Sequence, residues 1–353
     1  MAYSPIDKPN THFNPVTYSG DSATNHAITG VGFQPNFTWI KPRTEVHQHS
    51  LMDSIRGGNK ILVSQGTNAE ATDPIYGWID SFDTDGFTTQ KGSNTSQWNV
   101  NQTGEDYISW NWKGGGTAVS NTDGTITSSV SANTTSGFSI VTYTGNATTS
   151  QSVGHGLNSV PKMIIVKNRI DASDWKIYHA SLGTSYQMLL NNNDAAALAG
   201  TLWGSTTPTS NLFYINNDGS VNGSGDGMVA YCFSEIKGYS KFGSYAGNGS
   251  TDGTFVYTGF KPAFVMWKRS DSAGYDWDMY DTTRDTYNVA FKELIANSSG
   301  AESSSTVLSL DILSNGFKLR TSNANGNASG GTYIYMAFAE NPLVASNYVP
   351  TTA

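Results

Sequence analysis

Lys41, Lys167 and Lys268 pose the first chemical question, because each stands six residues after a proline in a segment of matching type. The segments are Pro35-Asn-Phe-Thr-Trp-Ile-Lys-Pro-Arg43, Pro161-Lys-Met-Ile-Ile-Val-Lys-Asn-Arg169 and Pro262-Ala-Phe-Val-Met-Trp-Lys-Arg269. With Arg43, Arg169 and Arg269, the lysines form the one charged feature that recurs. Such cations can hold a carboxylate of a sugar or of a partner chain. They can also cap a strand end and pair with Asp53 and Asp281, which follow after a sharp turn. His179 replaces the aspartate in the middle copy while the Lys and Arg stay, which favours the structural role.

Other groups could do chemistry, but their distribution argues against it. His47-x-His49 could present two imidazoles to a metal, with Asp53 nearby. The other copies have Ala172-Ser173 and Ala273-Gly274 there, so a surface loop without metal is expected. Oxygen-rich turns at Asp83-Thr-Asp85, Asn216-Asn-Asp218 and Asn315 fit backbone needs before they fit calcium. Asp276, Asp278 and Asp281 could supply the carboxyl pair of a glycan hydrolase, yet the acids are scattered differently in each copy. There is no Gly-x-Ser-x-Gly elbow, and Cys232 lies in an apolar strand. No catalytic residue, metal or cofactor is assigned, and the chain is not expected to be an enzyme. Trp98, Trp203 and Tyr214 fall in variable loops or at strand ends, where a flat ring can stack on a ligand. Trp175 and Trp277 recur at matched positions and belong to cores.

The elements that carry these residues repeat as a set. Tyr18-Ser-Gly20, Tyr143-Thr-Gly145 and Tyr245-Ala-Gly247 precede the three prolines by 17 or 18 residues. Leu51-Met-Asp53, Ile177-Tyr-His179 and Met279-Tyr-Asp281 follow them. Each copy closes on an apolar strand: Tyr107–Trp112, Met228–Phe233 or Tyr333–Phe338. Apolar, β-branched and aromatic runs between turn residues predict strands, and a buried strand of the proline type needs partners on both sides, so each is expected near the middle of a sheet. Strands are expected at Phe37–Lys41, Ile61–Ser64, Gly77–Phe82, Tyr107–Trp112 and Gln187–Asn191. No amphipathic helix is evident. The expected fold is all-β: three tandem homologous β-sandwich modules of the jelly-roll, concanavalin-like kind. They are bounded at 16–113, 136–237 and 238–342, with an N-terminal arm over 1–15 that either anchors the protein to something larger or lies over the first module, and a tail over 343–353. Composition makes 114–135 a Ser/Thr/Gly-rich linker, and the alternation in Thr125-Ile-Thr-Ser-Ser-Val-Ser131 allows a short edge strand that would dock it on a neighbouring module. The short join at Lys237-Gly238 predicts that modules two and three form a rigid pair, leaving module one mobile.

Composition fits this plan. The chain of 353 residues has 14% charged residues and a net charge of −8. That balance does not favour nucleic acid, which draws on clustered Lys and Arg. One cysteine excludes an internal disulfide framework. No secretion signal or membrane-length apolar run is read in the sequence, so synthesis in the cytoplasm without membrane insertion is expected.

Several blocks resemble a known group. Met1-Ala-Tyr-Ser-Pro-Ile-Asp-Lys-Pro9, Phe33-Gln-Pro-Asn-Phe-Thr-Trp-Ile-Lys41, Val153-Gly-His-Gly-Leu-Asn-Ser-Val-Pro161 with the strand after it, Lys241-Phe-Gly-Ser-Tyr-Ala-Gly-Asn-Gly249 and Tyr335-Met-Ala-Phe-Ala-Glu-Asn-Pro342 are similar to virion structural proteins of marine tailed phages such as cyanophages. The resemblance implies a tail-fibre-like or receptor-binding protein on the particle surface that contributes to host adsorption. A capsid decoration, head-fibre or connecting protein is its alternative, and a glycan hydrolase a remote one. It implies other virion proteins as partners, a host-surface glycan or outer-membrane receptor, and trimerisation by analogy. It brings no catalytic residues.

Overall fold

Three copies of one strand pattern should build one sheet order three times, and the order does recur. The structure, a computed structural model, describes residues 4–96 and 98–344. The first three residues of the expected arm and residues 345–353 of the expected tail lie outside the described residues. Among the described residues the fold is all-β, with antiparallel sheets; its helices are single turns at Gly219–Asn222 and Ala324–Asn327 and a 3-10 turn at Pro9–Thr11.

In repeat one the large sheet runs Phe13–Ser19, Asp106–Trp112, Phe37–Pro42, Ser50–Asp53, Gly57–Leu62, Ala71–Thr72. In repeat two the corresponding order is Phe138–Thr144, Gly227–Ser234, Pro161–Asn168, Lys176–His179, Tyr186–Leu189, Ala197–Leu198. In repeat three it is Ser240–Ala246, Thr332–Pro342, Phe260–Arg269, Trp277–Asp281, Leu294–Ile295. Each proline strand therefore lies inside its sheet, between the closing strand and the strand that follows it in sequence. A smaller sheet accompanies each: His26–Ile28 with Gly86–Gln90 and Trp78–Asp83, Gln151–Gly154 with Leu212–Ile215, and Phe255–Tyr257 with Gly316–Leu319 and Leu310–Leu313.

Alternation along the strands sends side chains to two different cores. Ile40, Ile164 and Ile215, or Val265 and Trp267, enter cores confined to their own repeat, between large and small sheet. Their neighbours Phe37 and Trp39, Met163 and Ile165, and Phe264 and Met266 point the other way. They meet in one central core shared by all three repeats, together with Trp110, Trp112, Tyr231, Phe233, Met336 and Phe338. The large sheets are thus buried on both faces, which explains why their strands read as continuous apolar runs. Each fully buried large side chain here contributes about 1.5–3 kcal/mol by leaving water.

The shared core corrects the expected mobility of repeat one and decides between the two readings of the arm and of the span 114–135. Repeat one is not mobile, since its Phe37, Trp39, Trp110 and Trp112 sit among side chains of both other repeats. The arm is laid into the molecule: Ile6 is buried in the centre, and Phe13 opens a strand and stacks on Phe338 at 4.8 Å. The span 114–135 is a linker by composition only, and the alternation read at 125–131 does end in a strand. Ser128–Asn133 pairs along its full length with Phe138–Thr144, and Val119–Asn121 adds outside it, so both strands extend the sheet of repeat two. A Cβ on Gly115 would lie 2.3 Å from the Ala132 carbonyl oxygen, so that glycine serves close packing and not flexibility.

Candidate functional site

The polar residues singled out in the sequence converge where the repeats meet. At the junction of repeats one and two, the sharp turn after Ser50–Asp53 brings Arg56 back onto Asp53, Nε to Oδ2 at 2.5 Å. Asp53 also accepts from the Tyr231 hydroxyl at 2.8 Å. Arg56 reaches Glu70 at 2.8 Å, and Glu70 takes a two-pronged contact from Arg169 of repeat two, both at 2.8 Å. The junction of repeats three and one repeats the chain. Arg284 holds Asp281 at 2.6 Å, Trp110 donates to Asp281 at 3.0 Å, and Arg284 and Arg43 share Glu302.

Burial alone would raise the Glu70 carboxyl and lower the Arg56 guanidinium. Arg169 and Arg56 outweigh it at Glu70, which is held below the usual carboxylate range. Asp53, Tyr231 and Glu70 outweigh it at Arg56, which is raised. Glu302 is held down in the same way by Arg43 and Arg284. These are paired and hydrogen-bonded buried charges, an arrangement that offsets the cost of taking them out of water.

The junction of repeats two and three has the same backbone without the Asp–Arg–Glu–Arg network. Backbone N–H groups of Glu70 and Glu302 donate to the carbonyls of Arg169 and Arg43, each at 2.8 Å, and Ala196 N–H donates to Ser270 at 2.9 Å. That register aligns Ser270, and not Arg269, with Arg43 and Arg169. Arg269 instead makes a local pair with Asp271 at 2.9 Å. The four positions held elsewhere by Asp, Arg, Glu and Arg are here His179, Leu182, Ala196 and Ser270. His179 is buried and lowered to about 4 by burial, against a hydrogen bond to the Tyr335 carbonyl at 3.2 Å. Its Nδ1 accepts from Ser181 N–H, so the ring is neutral and donates through Nε2.

A second cyclic set reinforces the first. Trp175 donates across to the Val63 carbonyl and Trp277 to the Leu189 carbonyl, each at 2.8 Å. His49 stands in the matching place and bonds the Ile295 carbonyl at 3.0 Å, while its Nδ1 accepts from Trp39 at 2.8 Å. His49 is therefore committed to the interior, and His47 faces outward onto Trp98, rings 5.2 Å apart. The two imidazoles do not converge, and among the described residues no group of three His, Cys, Asp or Glu is placed for a metal.

The lysines do not pair with Asp53 or Asp281, whose partners are the arginines three residues later. Lys41 donates to the Pro42 carbonyl, Lys167 to those of Thr67, Asp171 and Ser173, and Lys268 to that of Tyr275. Burial pulls Lys41 down to about 7 and the other two to about 8, each opposed by nearby carboxylates. Asp278 and Asp281, three apart on one strand, face opposite sides of the sheet. Asp278 accepts from Asn325 at 2.8 and 3.0 Å and is hydrogen-bonded to Glu293, and burial, with Glu293 beside it, raises it well above the usual range.

The aromatic candidates do not form one site. Trp98 belongs to repeat one and packs on Tyr76 at 4.4 Å as well as on His47. Trp203, expected in an exposed loop, is 2% exposed, because its loop folds back and drives the indole into the core of repeat two. Adjacent Leu202 was the available signal. Tyr214 is half-buried, and it alternates outward between the inward Phe213 and Ile215. Two open grooves line the outer rims of the ionic junctions. One, of about 590 Å³, lies among Asp7, Asn10, Asn14, Thr282, Thr283 and Glu340; the other, of about 480 Å³, lies among Gln34, Asn36, Ser54, Thr117, Ser129 and Thr142.

A family model described as "Domain of unknown function (DUF7483)" matches residues 8–342. No curated protein and no solved structure matches the chain.

Proposed function

We propose that this chain, which belongs to the DUF7483 family, is a structural protein of a tailed-phage virion, tail-fibre-like or receptor-binding, that contributes to host adsorption. In this reading the three repeats are homologous β-sandwich modules of the jelly-roll, concanavalin-like kind, fused in tandem. The observation that carries it is where the buried polar chemistry goes. Asp53, Arg56, Glu70 and Arg169, and their counterparts at the other ionic junction, tie repeats to one another. A scaffold that must hold shape while presenting loops needs such ties; its contacts are then made by exposed residues on rigid elements. The partners are other virion proteins and a glycan or outer-membrane receptor on the host surface, met by several weak contacts at once. Assembly as a trimer follows by analogy with fibres.

Immunogold labelling of purified particles, paired with binding of the isolated protein to host cells, tests this. The expected result is label on the particle surface and saturable cell binding. Label on the head lattice without cell binding would support a decoration or head-fibre protein instead. Particles that lack the chain would end both readings.

A further inference from the structure

Repeat three differs from the others on the outer face of its small sheet. Strand Phe255–Tyr257 is an edge strand, and Val256 points inward while Phe255 and Tyr257 point out. Phe255 is 44% and Tyr257 54% exposed. The rings stand about 7 Å apart along the strand. Register places Phe255 beside Lys318 and Asp311, and Tyr257 beside Gly316 and Leu313. Phe255 Cε2 lies 3.1 Å from where a Cβ on Gly316 would be, so the ring leans over the glycine and is steadied by it. The corresponding strands of the other repeats, His26–Ile28 and Gln151–Gly154, carry no such pair.

Around the rings the charges are already matched. Asp252 binds Lys318 at 2.6 Å and Arg320 at 3.3 Å, and Arg320 binds Asp311 at 3.2 Å. Two anions and two cations cancel, which leaves fixed donors and acceptors but no net charge to attract an ion. Flat apolar rings bordered by immobilised hydrogen-bonding groups suit a ligand with C–H faces and many hydroxyls. We propose that Phe255, Tyr257 and the Asp252–Lys318–Arg320–Asp311 ladder form a binding platform for a neutral oligosaccharide, with pyranose rings stacked on the two aromatics. A peptide adding to the strand edge is disfavoured by its three-residue length. The platform rests on the sheet geometry of repeat three and not on the particle assignment.

The test uses the full chain with cellohexaose, chitohexaose and mannohexaose, by saturation-transfer NMR and calorimetric titration. At least one should bind, with transfer concentrated on ring C–H protons. The double substitution Phe255→Ser with Tyr257→Ser should weaken that binding tenfold or more while circular dichroism and a single cooperative melt show the chain still folded, since both side chains lie on the outer face. Tyr257→Phe, which keeps the ring, should retain it, and Tyr287→Ser, at an exposed tyrosine outside this strand, should leave it unaltered. No binding of any of the three by the unmodified chain would overturn the platform, as would equal binding by the double variant. Either result leaves the particle-surface reading to its own labelling test.

Discussion

The junction of repeats one and two and the junction of repeats two and three share a backbone but solve the same packing problem with opposite chemistry. The first buries Asp53, Arg56, Glu70 and Arg169 as a connected ion network; the second places His179, Leu182, Ala196 and Ser270 at the same positions. All four positions change together. That is what the energetics require, because a buried charge without its partner is costly while a complete neutral set is not. The network is therefore not what makes a junction possible. The shared aromatic core does that at all three, and the ions add direction and register to two of them.

Breaking one member of the ionic junction should have the largest effect. Arg56→Met leaves Asp53 buried without its counter-charge and Glu70 with Arg169 alone, and should cost about 3–5 kcal/mol in denaturant unfolding. Leu182→Ala, the matched change at the neutral junction, should cost clearly less. Acid should then probe the neutral junction. His179 has a folded value of about 4 against an ordinary 6.5, so the unfolded chain takes the proton first. Its stabilising contribution is complete above pH 6.5 and is lost progressively toward pH 4, a total of about 3 kcal/mol. His179→Gln should flatten that part of the stability-versus-pH curve. Glu70 and Glu302 are held below the ordinary carboxylate value, so the ionic junctions should keep their contribution until pH falls below about 4.5.

Exchanging the whole set sharpens the comparison. Asp53→His, Arg56→Leu, Glu70→Ala and Arg169→Ser together should change stability by no more than about 2 kcal/mol, less than Arg56→Met alone. The smallest effect belongs to Arg269→Ala. Its pair with Asp271 lies at the surface, and removal should cost less than about 1 kcal/mol.

Much of this was legible in the chain. The proline strands, their interior places in the sheets and the all-β class follow from apolar runs bounded by turns. The shared core was not, although Pro161–Asn168 carries apolar residues on both faces and so asks for two covers. Repetition invites one core per copy, and only the geometry shows that the second face of each sheet meets the other two. Glu70, Glu302 and Ala196 lie in loops whose sequences share no motif, so nothing in the chain marks them as the partners of the arginines, and the Lys268-Arg269 step hides Ser270 as the residue aligned with Arg43 and Arg169. The span 114–135 has the composition of a coil, but Ser128 and Val130 point inward on a strand just inside the edge strand Val119–Asn121, where few side chains need to be apolar. Trp203 shows that an aromatic residue in a variable loop can be the anchor of that loop and not its contact.

Hydrogen exchange measured across a denaturant series tests most directly that the three repeats form one cooperative body. The central strands Phe37–Pro42, Pro161–Asn168 and Phe260–Arg269 should reach the same opening free energy and converge in a single unfolding transition. Opening of Phe37–Pro42 and Asp106–Trp112 at lower denaturant, with the other two repeats still protected, would contradict the shared core.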